Sequence, residues 1–137
     1  MSAPIDEIRA IIPVSLSAKP LTRSAPFTRE LGKAVHVTIN WYYEQLGGER
    51  VFLAGANCLN TSRKPLYVEY FVSFFDTDRK LIACAGQGSD GPLGPGATIF
   101  LGSCIVRIPP RAAARITSCE IVVYESESQI TAATGEP

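Results

Sequence analysis

The sequence predicts an all-β fold: an immunoglobulin-like antiparallel β-sandwich of six to seven strands, preceded by an N-terminal arm or short helix. Three observations carry this. After residue 33, apolar residues recur with period two and no helical period is visible. Clusters of Gly, Pro, Asn, Asp and Ser break these runs at regular spacing. A chain of 137 residues with 46% hydrophobic content has enough material for one core. The expected organisation is an arm or short helix over 1–33 packed on the domain, the sandwich over 34–125, and a small, polar, disordered tail over 126–137.

Ser2 is placed to cap a short helix over Ala3–Ile12, with Pro4 in its first turn and Asp6 and Glu7 near its positive end. Ile5, Ile8, Ile11 and Ile12 would form one apolar stripe, and Pro13 would end the helix. The alternative is an extended arm, because the run Ile11–Leu16 also reads as a strand. Pro20, Ser24 and Pro26 read as irregular connection. Ala34–Tyr43 alternates strictly, with Val35, Val37, Ile39, Trp41 and Tyr43 facing in and His36, Thr38, Asn40 and Tyr42 facing out. Gly47-Gly48 reads as a hairpin turn into a strand over Arg50–Leu59, where Gly55 suggests a bulge or a close backbone approach. Asn60–Pro65 is a polar turn. Leu66–Phe75 follows, with Leu66, Val68, Tyr70, Val72 and Phe74 on an apolar face, so Arg50–Asp76 is expected to be the central hairpin. Lys80–Ala85 is a short strand, Gly86–Gly96 a long loop, Ala97–Ile108 a strand split near Gly102, and Arg115–Glu125 the last strand, with Cys119, Ile121 and Val123 on one side.

Residues 51–125 resemble the FxLYD-like and LEA14-like bacterial modules. The matching features are Gly55, Asn60-Thr61-Ser62 with Lys64-Pro65-Leu66, Val72-Ser73-Phe74-Phe75-Asp76, Asp78-Arg79-Lys80-Leu81-Ile82, and Leu93-Gly94-Pro95-Gly96. The chain departs from the pattern at Val72, where the family has Phe, and at Arg79, where the turn usually has Gly. The resemblance implies an immunoglobulin or fibronectin type III-like sandwich that is non-catalytic and extracytoplasmic or accessory. The spacing of antibody domains is absent, since Trp41 precedes every cysteine.

Composition and motifs exclude several chemistries. Lys+Arg and Asp+Glu both number 13, so the formal charge is zero and the basic excess of a nucleic-acid binder is missing. No apolar run is long or unbroken enough for a membrane span, and the acidic start Asp6-Glu7 does not suit a signal peptide. These features point to the cytoplasm, with a periplasmic or extracellular location as the alternative if a signal peptide has been removed. Cys58, Cys84, Cys104 and Cys119 form no CxxC pair and sit in apolar stretches, so four buried thiols are expected, with disulfides as the alternative, and no zinc site. His36 is the single histidine and is expected at the surface, without a nucleophilic cysteine beside it. Asp76-x-Asp78 is followed by Arg79-Lys80, which suits a charged turn better than a calcium loop. The loop Gly86–Gly96 lacks the Lys-Ser/Thr of a phosphate-binding loop. No metal, cofactor or catalytic residue is expected.

One group is left without a role. Tyr42, Tyr67, Phe71 and Phe75 fall on strand faces away from the expected core. Exposed together they would mark an interface; covered by Ile5, Ile8 and Ile12 they would not. The expected function is therefore a non-catalytic interaction or scaffolding module, which binds a protein partner or self-associates through an outer aromatic face or a sheet edge. The alternative is a small ligand-binding protein or enzyme with a site near the 86–96 loop.

Overall fold

Period-two alternation becomes eight antiparallel strands in a computed structural model of the chain, which describes residues 6–13, 26–46 and 49–129. They are β1 (Asp6–Pro13), β2 (Phe27–Leu31), β3 (Val35–Leu46), β4 (Glu49–Asn60), β5 (Tyr67–Phe75), β6 (Leu81–Gly88), β7 (Thr98–Ile108) and β8 (Ser118–Ser126), with one short helix, α1 (Pro110–Ala113). The first sheet has the order β1-β8-β5-β6 and the second β2-β3-β4-β7. The two pack face to face as a β-sandwich. Among the described residues no helix is long and apolar enough to cross a membrane.

Six of the eight strands follow residue 34, and the other two lie in the segment read as an arm. Of the two readings of this segment the extended one is observed over Asp6–Pro13: in place of a helix there is β1, which pairs with β8 from Asp6 opposite Glu125 to Pro13 opposite Ser118. A single short stripe of β-branched isoleucines cannot meet the cost of helix nucleation, whereas a strand gains a full ladder of hydrogen bonds. Ile8 then packs against the core, and Ile11 points outward and is 60% exposed. Residues 1–5, Ile5 among them, and the side chain of Ile12 lie outside the described residues. β2 adds a further edge strand, and its Phe27 ring meets Trp41 at 5.4 Å. The sandwich therefore starts at β1 and not at residue 34. At the other end Ser126 still belongs to β8, while positions 130–137 of the expected tail lie outside the described residues.

Arg50–Asp76 is an arch between the sheets and not a hairpin. β4 belongs to the second sheet and β5 to the first. Both strands turn an apolar face to the same core: Phe52, Ala54, Ala56 and Cys58 from one side, Val68, Tyr70, Val72 and Phe74 from the other. A hairpin would place those faces side by side in one sheet and leave the opposite layer unfilled. Asn60 organises the crossing. Its Nδ2 donates to the carbonyls of Lys64 (2.8 Å) and Leu93 (2.7 Å), and its Oδ1 accepts from the Ser62 N–H and hydroxyl. Its backbone bonds to Ala97 and Gly96, so the arch and the 89–97 loop are joined at one buried residue.

Between the layers Trp41 meets Phe74 edge-on at 5.1 Å and Phe52 at 5.8 Å, and Phe52 meets Phe74 at 4.7 Å. Burying this cluster is the main gain from closing the sandwich. The expectation of four buried thiols is corrected at one position. Cys58 and Cys119 are buried free thiols, but Cys84 is exposed on edge strand β6, where Ser73 donates to its sulfur. The side chain of Cys104 lies outside the described residues.

Candidate interaction face

The four aromatics singled out from the sequence do not form one patch. Tyr67, Phe71 and Phe75 lie on the outer face of β5 in the first sheet, and Tyr42 lies on the outer face of β3 in the second. These are opposite sides of the sandwich. No N-terminal isoleucine among the described side chains covers the first-sheet group; charge and glycine do. Phe71 lies over edge strand β6, where a Cβ built on Gly86 would sit 2.3 Å from its ring, and it meets Tyr124 edge-on at 6.3 Å. An aromatic ring over a strand glycine restores packing that the glycine lacks.

Phe75 lies under the Arg79 guanidinium, 4.3 Å from ring centroid to Cζ. The turn that delivers Arg79 is built by Asp76, whose carboxylate accepts the N–H groups of Asp78 and Lys80, and Arg79 itself has φ +62°. A non-glycine residue in this region is uncommon and carries strain. Here Arg79 reaches Glu120, whose other oxygen is held by Arg9. Arg79, Glu120 and Arg9 thus form a line of alternating charges on the outer face of the first sheet, with Phe75 beneath Arg79.

The same face holds Glu69, between Tyr124 of β8 and Gly88 of β6. Its Oε1 is buried and has no hydrogen-bond partner among the described residues, and burial pushes its carboxyl above the ordinary range. Glu7 and Arg9 on β1 stand on the far side of Tyr124, whose own hydroxyl is pushed up by burial and by Glu7. For Glu69 the sign is fixed by the direction of the shift. The folded state binds the proton more tightly than the unfolded chain, so Glu69 works against folding at neutral pH and ceases to as pH falls through its raised pKa. Glu69→Gln is expected to stabilise the protein at pH 7, with an advantage over wild type that shrinks on acidification. Paired denaturation midpoints across pH check this, and a difference independent of pH would contradict it.

The outer face of the second sheet is built differently. β3, β4 and β7 turn Tyr42, Leu53, Leu59, Phe100 and Ile105 outward among Thr38, Asn40, Asn57 and Thr98. Phe100 is 55% exposed and Ile105 61%. The Phe100 ring rests over Gly55, where a Cβ would approach it to 2.9 Å, and stands as a ridge between two open hollows. One, of about 440 Å³, is lined by His36, Asn57, Leu59, Thr98 and Ile99. The other, of about 190 Å³, is lined by Asn40, Tyr42, Leu53 and Gly55. Neither hollow has a formally charged residue in its lining.

His36 is exposed and lies opposite Leu59 in the ladder, which places it one residue out of register with Cys58. Burial pushes the Cys58 thiol up to about 11, so it stays protonated at neutral pH and is a poor nucleophile. Among the described residues no group of three or more His, Cys, Asp or Glu side chains could hold a metal. In the 89–97 loop Leu93 is buried and bridges Leu66, and the Gly96 N–H donates to the Asn60 carbonyl. The loop braces the arch.

Sequence reasoning missed Leu53, Leu59, Phe100 and Ile105. Phe100 and Ile105 differ by an odd number of positions, so one unbroken strand cannot turn both outward. The ladder slips between Ala54 and Ala56, where Ala54 opposes Cys104 and Ala56 opposes Leu101, and this slip puts both side chains on one face. The glycines Gly55 and Gly102 were the available signal.

No protein-family model and no curated protein matches the sequence. Solved structures give distant likenesses. A chain in the crystal structure of the T13 infectious bursal disease virus particle is 14% identical, with TM-score 0.47, and the match covers 96% of this chain and 28% of that one. A chain in the structure of the Gx strain of the same virus gives 14% identity and TM-score 0.45 over 95% and 28%. A DUF1425 family member from Shewanella sp. pv-4 gives 12% identity and TM-score 0.32 over 81% and 96%. The chain thus spans little more than a quarter of the viral chains it matches. Likeness at this level carries no argument about activity.

Proposed function

We propose that this chain is a non-catalytic β-sandwich interaction module, and that it binds a protein partner through the outer face of the second sheet around Phe100. One observation carries the reading: this face exposes Phe100 and Ile105 beside two hollows without charged lining, while on the opposite face Phe75 is covered by Arg79 and Phe71 packs over Gly86 and against Tyr124. Protein interfaces are depleted of charge at their centre and rich in aromatic side chains. The resemblance to the FxLYD-like and LEA14-like modules supports the same reading. A ligand or enzyme site near the 86–96 loop is less favoured, because that segment is tied down through Leu93 and Gly96.

Site-specific photo-crosslinking tests the reading. With a photoreactive phenylalanine at position 100, a discrete covalent adduct is expected from cells that make the protein. The same group at position 67 gives none. No adduct from position 100, or equal adducts from both, overturns the assignment.

A further inference from the structure

We infer that the partner seated on the Phe100 face is a second copy of this chain. The inference rests on the reading of that face as an interface and names its occupant. A two-fold interface requires a self-complementary surface. The Phe100 ring, lying over Gly55, forms a ridge along a hollow of about 440 Å³, so a two-fold axis near Phe100 sets the ridge of each copy against the hollow of the other.

The hollows are lined by uncharged side chains, and the charges elsewhere on the face are of both signs, Glu30 and Glu44 with Arg107. Two copies can therefore meet with no net charge opposed across the seam, whereas a strongly charged partner would find no complement in the hollows.

Three strands of 11 to 12 residues, at about 3.3 Å rise and about 4.8 Å spacing, make a face on the order of 600 Å². A specific pair buries about 600–1,000 Å² per partner, so this face suits a small, reversible dimer. The exposed apolar side chains of the first sheet do not compete. Ile11 lies opposite Glu120 in the ladder and Leu81 opposite Phe75, on either side of the charges that Arg9, Glu120 and Arg79 bring together.

Light scattering on the full chain over about 1 to about 300 µM tests this, a range that spans dissociation constants from about micromolar to about 100 µM. Wild type is expected to pass from monomer to dimer mass. Phe100→Asp is expected to weaken association by about 100-fold or more, as the loss of a central aromatic anchor does. Ile105→Asp, farther along the face, gives the same result without touching the contact over Gly55 and carries the test where Phe100→Asp does not fold. A wild type that stays monomeric throughout overturns self-association. A position-100 crosslink to a protein of different mass would then leave the interaction reading standing. A dimer that survives both folded variants places the interface elsewhere and overturns the inference.

Discussion

Glu125→Ala is expected to lower the stability of the fold by about 3–5 kcal/mol, among the largest effects of any single substitution in this chain. Glu125 is buried on β8, and among the described residues its carboxylate is held by backbone N–H groups alone. Oε2 accepts the N–H groups of Lys33 (2.8 Å) and Val35 (3.0 Å), and Oε1 accepts that of Ala34 (2.9 Å). Three successive N–H groups converge because the β2–β3 turn passes through Gly32 at φ +118°, where a Cβ would fall 1.9 Å from the Val35 carbonyl oxygen. Removing the carboxylate strands three donors in or near the core and releases the turn that joins the second sheet to β8 of the first. Glu125→Gln keeps one acceptor oxygen and turns an amide donor toward backbone donors, so about 2–3 kcal/mol is expected for it. Urea denaturation followed by Trp41 fluorescence measures both. A Glu125→Gln midpoint equal to that of wild type would remove the carboxylate from the account.

Glu125 also shows where the sequence was legible and where it was not. Alternation placed Cys119, Ile121 and Val123 inward, and one more step of the same period reaches Glu125. Period two alone does not mark Glu125 as buried, because a glutamate ordinarily faces water. Strand positions from 34 onward, and the inward faces of β3 and β5, follow from period two because burial of one face fixes the phase. Pairing partners do not follow. Nothing local distinguishes an arch from a hairpin at Asn60–Pro65, since both need the same polar turn, and the difference lies in which layer each strand joins. The outward face of β7 was hidden for a different reason: the slip opposite Gly55 changes phase within the strand, and a single period cannot describe it. The first-sheet aromatics were read on the correct face. Their cover was not legible, because it comes from Arg79 and from Gly86, residues that look like turn and edge in sequence.

Asn60→Asp is expected to be more damaging than Asn60→Ala, although aspartate is the closer match in shape. In wild type both amide protons of Asn60 go to the Lys64 and Leu93 carbonyls, and Oδ1 accepts twice from Ser62. Alanine forfeits these bonds but leaves the two carbonyls with other partners. Leu93 O still accepts from Leu66 N–H at 3.0 Å, and the Ser62 hydroxyl lies 3.0 Å from Lys64 O. Its cost is about 2–3 kcal/mol, the loss of a buried hydrogen-bonding side chain whose partners are partly rescued. Aspartate sets a carboxylate oxygen against the same two carbonyls in a buried site, and about 3–5 kcal/mol is expected at neutral pH. Acidification reverses part of this. A protonated carboxyl regains one donor, so the aspartate variant gains stability relative to the alanine variant as pH falls. Thermal melts of the three proteins at neutral and mildly acidic pH read the order directly. If aspartate proved the milder change at neutral pH, the four bonds of Asn60 would not be what holds β4 and β5 in opposite sheets.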